Sequence, residues 1–272
     1  MTQRVGLLGW PVGHSISPAM HNAAFHMQAI DWAYTALPVP PEELQAEVTR
    51  LLDEGYRGFN VTVPHKQAVL ELAQIAEVSP AVDAISAANT LTRLPGGSLR
   101  ADNTDWEGFL SDLRMYRVAL SGQTCLILGT GGSARAVRYA LEQQGVAVVQ
   151  VSRQPDRHAG QIGYDDLAQA AEGAGLIVNC TPLGLAPEIE RSPWPKNVPF
   201  PPGAILYDLV YNPPVTRLMQ QARAAGARVF GGLGMLVWQG ALSYEIWTGQ
   251  RPPLDIMFAA ARQALSSASS ET

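Results

Sequence analysis

Two short stretches carry residues able to move a proton: Asn60-Val61-Thr62-Val63-Pro64-His65-Lys66 and Asp102-Asn103-Thr104-Asp105. The chain holds nineteen basic residues, yet only Lys66 and Lys196 are lysines. A lysine ammonium can give up a proton, whereas a guanidinium in a protein stays charged. Residues 58–63 read as a buried strand. Pro64, lacking an N–H, ends its ladder and leaves His65 and Lys66 at the strand's mouth, which is where active sites of open α/β sheets lie. Taken alone, Lys66 also reads as a solvated residue in the first turn of a following helix. Asp105 likewise follows a short strand, residues 99–101, and opens a helix expected to reach about Arg114.

Ser15 and Ser17 lie two residues apart just before Pro18. Serine followed by proline predicts an N-cap with proline at the first helical position, so a helix is expected from Pro18. Its free N–H groups and dipole would attract an anion such as a carboxylate. The plainer reading, in which Ser17 only caps and Ser15 only turns, is equally open. His14, His21 and His26 lack acidic or cysteine partners at ligand spacing. They read as hydrogen-bonded histidines, and no metal is expected.

The run Gly129-Thr130-Gly131-Gly132-Ser133-Ala134 follows the apolar strand 123–128 and opens a helix over 133–144, with another strand at 147–151. That order suits a pyrophosphate at a helix N-terminus, with Ala134 an allowed substitute for the third glycine. Where a site for unphosphorylated ribose would place an acid, the chain has Ser152-Arg153-Gln154. Arg153, helped by Arg157, would pair with a 2′-phosphate, so NADP is the expected cofactor. Asp156 keeps NAD open, as does the reading of both arginines as solvated surface residues.

The elements that must position these residues alternate. Strands are expected at 5–8, 32–39, 58–63, 176–180, 204–210 and 228–231, and an amphipathic helix at 41–54 with Leu44, Val48, Leu51 and Leu52 inward. Residues 82–94 and 98–101 predict a hairpin around Pro95-Gly96-Gly97. Asn89 sits in that apolar stretch as a buried amide needing partners, which reads first as a backbone bridge. A helix should run from Gly232-Leu233-Gly234-Met235 to Trp247 and carry Gln239, itself open to reading as a polar spot on a half-buried helix. A last amphipathic helix is expected over 253–265, with 266–272 frayed. The alternation implies a parallel sheet and an α/β fold.

Hydrophobic residues make up 47% of the 272 residues, ample for one large or two ordinary domains, and Cys125 and Cys180 stand singly in apolar runs, which suits a reducing cytoplasm. A net charge of -5 without a basic run argues against nucleic acid and for a small ligand. Neither a signal peptide nor a membrane span is expected.

Asn60-Val61-Thr62-Val63-Pro64-His65-Lys66, then Ala87-Ala88-Asn89-Thr90, then Asn103-Thr104-Asp105, resembles the shikimate dehydrogenase family in order and spacing, and the likeness covers nearly the whole chain. The resemblance implies a substrate domain of residues 1–103 with 234–272, and a Rossmann-like NADP-binding domain of 104–233. Between them a cleft would serve reversible NADPH-dependent reduction of 3-dehydroshikimate to shikimate, a step of chorismate and aromatic amino-acid biosynthesis, in a cytoplasmic monomer or homodimer. It implies Lys66 and Asp105 as catalytic residues. Ser15 and Ser17 would hold the substrate carboxylate, with Thr62, Asn89, Gln239 and the Tyr211 of an Asp-x-x-Tyr-Asn-Pro segment completing the substrate site. Gly129, Gly131, Gly132, Ser133, Ala134, Ser152, Arg153, Arg157, Gly232 and Met235 would hold the cofactor. Trp106 stands where many members have glycine, which leaves the pocket floor open. Rival readings are a quinate/shikimate dehydrogenase using NAD, a dehydrogenase acting on another ring substrate, and a catalytically silent NADPH-binding regulator. The presence of both Lys66 and Asp105 speaks against silence.

Overall fold

The computed structural model describes residues 2–156 and 159–269. By contacts the chain divides into two compact units, Met1–Ser111 with Leu236–Thr272, and Asp112–Met235. Each is built on a six-stranded sheet, giving the α/β architecture expected. The division falls inside the helix that opens at Asp105.

In the first unit, β1 (Gln3–Gly9), β2 (Trp32–Pro38) and β3 (Tyr56–Val61) run parallel and alternate with α1 (Ser17–Met27) and α2 (Leu44–Asp53). Helix α2 forms where apolar residues recur at helical spacing, and all four of Leu44, Val48, Leu51 and Leu52 are buried. They join Phe59, Val61, Leu91 and Leu99 in one apolar core. Residues 41–43, expected as the start of this helix, form a 3-10 turn instead. The helix expected after Lys66 is likewise only a 3-10 turn, Ala68–Glu71.

The sheet is mixed, in the order β2-β1-β3-β5-β6-β4. Strand β5 (Thr90–Arg93) runs antiparallel to both β3 and β6 (Leu99–Asp102), and β4 (Ile75–Val78), which the sequence did not suggest, pairs parallel with β6. The hairpin at residues 95–97 is present, but residues 82–85 belong to helix α3 (Pro80–Ile85). There the Ser79 hydroxyl accepts the Val82 N–H, and Ser86 at φ 55° ends the helix. A short apolar run fits a strand or a buried helix equally; the Ser-Pro start decides. Helix α4 (Asp105–Met115) follows β6.

In the second unit β7 (Thr124–Leu128), α5 (Gly132–Glu142), β8 (Ala147–Val151), β9 (Gln161–Ile162), α6 (Leu167–Ala171), β10 (Ala174–Asn179), β11 (Ile205–Asp208), α7 (Arg217–Ala224) and β12 (Arg228–Gly231) follow in order. All pairings are parallel, in the order β12-β11-β10-β7-β8-β9. This is the doubly wound arrangement, with its switch point between β7 and β10. Helix α8 (Leu233–Thr248) and helix α9 (Leu254–Ser269) complete the chain, α9 packing on α1 and continuing through residues expected to fray. Among the described residues no helix is long and apolar enough to cross a membrane.

Candidate active site

Strand register gathers the proton-moving residues. Leu8 pairs with Val61, Asn60 with Thr90, and Thr90 with Asp102. At this row β1, β3 and β6 end while antiparallel β5 begins, so Thr62, Asn89 and Asn103-Thr104-Asp105 all fall on one sheet edge. Lys66 joins them because the Ala88 N–H donates to its backbone carbonyl at 2.8 Å. The turn before it is pinned by His65, 1% exposed, with Nε2 2.7 Å from the Val39 carbonyl oxygen.

Lys66 Nζ donates to Asp105 Oδ2 at 2.6 Å, with side chains only 12% and 6% exposed. The other carboxylate oxygen accepts Asn89 Nδ2 at 2.9 Å, and Asn89 Nδ2 also lies 3.1 Å from Gln239 Oε1. The Asp105 N–H donates to Asn103 Oδ1 at 3.0 Å, and Asn103 Nδ2 to the Ala87 carbonyl at 2.8 Å. Gln239 reaches the cluster because α8 lies directly on α4: a Cβ at Gly108 would stand 2.8 Å from the Gln239 nitrogen. The result is a nearly dry ammonium–carboxylate pair with two amides beside it. Such an arrangement can pass a proton to a developing alkoxide and hold neighbouring hydroxyls.

Ser15 and Ser17 sit on the turn after β1 and at the start of α1. Ser17 is not the N-cap expected: Ile16 holds that position in helical conformation and no side chain caps the helix. Instead the Ser17 N–H donates to the Ser15 hydroxyl at 3.2 Å, so Ser15 shapes the turn. Thr62 is half-buried beside Gly9, and Tyr211 lies on the loop after β11 in the second unit. His21 departs from the reading of a hydrogen-bonded histidine. It is fully buried, neither ring nitrogen has a hydrogen-bond partner, and it stacks on Tyr34 at 4.3 Å. Burial pulls its pKa down to about 3.

Register also organises the second unit. Leu128 pairs with Val151 and Asn179, Asn179 with Asp208, and Asp208 with Gly231. Gly129, Ser152 and Gly232 are therefore each the residue just past one common row. Gly129 has φ +109°, a conformation that a residue with a side chain rarely adopts. Gly131 precedes α5 with open space where a Cβ would be, and no side chain caps the helix, whose N-terminal dipole end suits an anion. Ala134 is fully buried and Ser133 half-buried. The Ser152 hydroxyl bridges to the Gln154 backbone, and Arg153 is exposed with its charge near Tyr164. No carboxylate stands at 152–155, so the residues present fit a dinucleotide carrying a 2′-phosphate. Arg157 lies outside the described residues. Met235 is buried, its backbone hydrogen-bonded to the Tyr207 hydroxyl.

Two buried carboxylates in this unit were not foreseen as centres of networks. Asp208 accepts Thr216 Oγ1 at 2.6 Å, Asn179 Nδ2 at 2.8 Å and the Val210 N–H at 3.1 Å. Burial pushes its pKa up while these bonds oppose the shift. Asp112 accepts the Tyr207 hydroxyl at 2.6 Å, and burial pushes its pKa up to about 6. The buried hydroxyls and amide behind Asn89, namely Asn60, Thr90, Thr104 and Ser243, were also missed as a group. Asn60 was visible as a polar residue inside a buried strand, and Ser243 as the residue one turn beyond Gln239.

Residues 7–91 match the family model of the shikimate dehydrogenase substrate binding domain, and residues 232–262 that of the shikimate 5'-dehydrogenase C-terminal domain. The chain is 41% identical to the shikimate dehydrogenase (NADP(+)) of Symbiobacterium thermophilum over 279 residues, covering 96% of this chain and 94% of that one. It is also 41% identical to that of Methanopyrus kandleri over 274 residues, covering 94% and 93%. A crystal structure of shikimate 5-dehydrogenase from Thermus thermophilus in complex with NADP(H) and shikimate superposes with a TM-score of 0.87 at 38% identity, covering 97% of this chain and all of that one.

Proposed function

From the premise that this chain belongs to the shikimate dehydrogenase family, we propose that Lys66 and Asp105 are its proton-transfer pair. The enzyme is an NADP-dependent oxidoreductase that reversibly reduces 3-dehydroshikimate to shikimate, a step of aromatic amino-acid biosynthesis. The observation that carries the assignment is the 2.6 Å contact between Lys66 Nζ and Asp105 Oδ2 at a sheet edge, with Asn89 on the other carboxylate oxygen.

NADPH, when bound, supplies a hydride to the ketone carbon. The oxygen of that carbon gains charge as the hydride arrives, and Lys66 gives it a proton; in the oxidative direction Lys66 takes the proton back. Asp105 keeps the ammonium aimed at that oxygen and accepts a hydrogen bond from a substrate hydroxyl. Asn89 and Gln239 trade their mutual bond for the remaining ring hydroxyls, Thr62 and Tyr211 are further substrate-binding residues, and Ser15 and Ser17 bind the carboxylate at the start of α1. Gly129, Gly131, Gly132, Ser133 and Ala134 accommodate the pyrophosphate, Ser152, Arg153 and Arg157 the 2′-phosphoribose, and Gly232 and Met235 the far end of the dinucleotide. These residues belong to a substrate domain, residues 1–103 with 234–272, and a cofactor domain, 104–233, with Asp105 and Tyr211 reaching the substrate from the second range and Met235 the cofactor from the first. A net charge of -5 supports a small-molecule partner rather than nucleic acid, and we place the enzyme in the cytoplasm as a monomer or homodimer.

Nicotinamide absorbance followed with shikimate or quinate, each with NADP or NAD, tests the assignment. Shikimate with NADP should be turned over fastest. Equal turnover of quinate with NAD would instead favour a quinate/shikimate dehydrogenase.

A further inference from the structure

Behind the amides proposed to bind substrate runs a buried chain of hydrogen bonds whose direction is fixed by backbone groups. The Asn89 carbonyl can only accept, so it takes Asn60 Nδ2 at 3.1 Å and turns Asn60 Oδ1 toward Tyr34, whose hydroxyl donates to it at 2.9 Å. The Thr104 N–H can only donate, so it takes Asn89 Oδ1 at 2.7 Å and leaves Asn89 Nδ2 facing Asp105 and Gln239. The Leu236 carbonyl takes Gln239 Nε2 at 2.7 Å, leaving Gln239 Oε1 as the acceptor. No amide in the chain can flip without setting two oxygens, or two N–H groups, against each other in a buried site.

Two residues at the ends of this chain have no role in the reading above. Ser243, fully buried one turn past Gln239, lies 2.9 Å from Asn60 Nδ2, 2.8 Å from Thr90 Oγ1 and 3.2 Å from Thr104 Oγ1. Its hydroxyl also donates to the Gln239 carbonyl at 3.0 Å, so it fastens the turn of α8 that carries Gln239 to β3, β5 and the start of α4. Tyr34 on β2 is clamped to α1: Asn22 accepts its N–H at 2.8 Å and donates to its carbonyl at 2.9 Å, and His21 stacks on its ring. Helix α1 is the element that begins at Ser17.

We infer that Tyr34 and Ser243 are positioning residues for shikimate, holding the Asn89–Gln239 amide pair in one orientation and at one distance from the start of α1. Neither touches the substrate. Tyr34 ties the carboxylate end of the site to Asn60, and Ser243 ties Asn60 to the helix bearing Gln239. The inference rests on the substrate roles proposed for Asn89, Gln239 and the α1 start.

The test is a double-mutant cycle on shikimate oxidation at saturating NADP, using Tyr34→Phe, Ser243→Ala and the double variant, with Ser243→Thr as the variant that keeps the hydroxyl. Each single loss should raise the KM for shikimate by roughly 3- to 10-fold, leave the KM for NADP unchanged, and combine less than multiplicatively because both break one chain. Ser243→Thr should recover much of the loss. Should Ser243→Ala fail to fold, Tyr34→Phe carries the comparison of the two KM values alone. An unchanged KM for shikimate in folded variants, or effects that simply multiply, would overturn the inference. Asn89→Ala separates the two levels: if it raises that KM while Tyr34→Phe and Ser243→Ala do not, only the positioning role falls. If Asn89→Ala is also silent, the substrate role of the amides falls with it.

Discussion

Lys66 and Asp105 are held so that each accounts for the other's burial: the carboxylate has donors on both oxygens, and the ammonium has a carboxylate at 2.6 Å. Removing one partner would leave a charge stranded in a nearly dry site, so the pair should behave as a unit rather than as two separable contributions. At the other end of the chemistry, Arg153 is the exposed cation where an acid would exclude a 2′-phosphate. Arg153→Ala should raise the KM for NADP roughly tenfold or more through loss of a charged hydrogen bond, with much less effect on NAD. Initial rates with both cofactors check this; equal use of NADP and NAD by the unmutated enzyme would refute it. Lys66 was legible in the sequence because lysine is rare here and follows Pro64. Ser243 was not, since a serine inside an apolar helix gives no sign of what its hydroxyl meets.

At the level of elements, the site depends on a strand that runs backwards. Had β5 been parallel to β3, Asn89 would lie at the opposite edge from Lys66; antiparallel pairing of Asn60 with Thr90 puts them together. The hairpin was readable from Pro95-Gly96-Gly97, but β4, helix α3 and the 3-10 turn after Lys66 were not, because short apolar runs take their form from what they pack against. The N-cap at Ser17 was a local rule overridden by its surroundings, with Ile16 already helical and Ser15 accepting the Ser17 N–H. Helix α4 shows the same dependence on a neighbour. Gly108 costs helix propensity, yet a methyl there would stand 2.8 Å from the Gln239 nitrogen and 2.9 Å from its Cβ. Gly108→Ala should therefore destabilise by about 1–3 kcal/mol rather than stabilise, and should raise the KM for shikimate by displacing Gln239. A thermal melt that is unchanged or higher would contradict this contact.

Across the whole molecule, two buried titratable groups set opposite pH dependences of stability. An unfolded histidine titrates near about 6.5, whereas His21 in the fold is pulled down to about 3. Between these values the unfolded chain binds the extra proton, so the contribution of His21 is fully present above the upper value. It is lost as pH falls, by up to about 1.4 kcal/mol per pH unit. His21→Phe keeps a ring against Tyr34 and should flatten the acid limb of a stability–pH curve. Asp112 has the reverse sign: its pKa is pushed up to about 6, above the roughly 3.9 of an unfolded aspartate, so native protein binds the extra proton and rising pH through that window costs stability. Asp112→Asn, which can still accept from Tyr207, should raise the thermal midpoint at neutral pH, by on the order of 1 to 2 kcal/mol in stability, and do little near pH 4. Chemical denaturation of both variants across pH checks the signs. The α/β fold was readable from alternating apolar runs and the glycine turn at 129–132, whereas the division into two domains came only with the family resemblance. These buried titratable groups were not readable, because burial of a lone His or Asp is decided by distant segments that no local spacing reveals.

The most direct test of the proton-transfer assignment is the steady-state rate of Lys66→Arg with shikimate and NADP. Arginine keeps the positive charge beside Asp105 but cannot release a proton at working pH. If Lys66 is the proton donor, kcat should fall by roughly 10²- to 10⁴-fold while the KM for shikimate changes far less. A near-normal kcat in Lys66→Arg would contradict the assignment, leaving Lys66 an electrostatic anchor and the proton to another group.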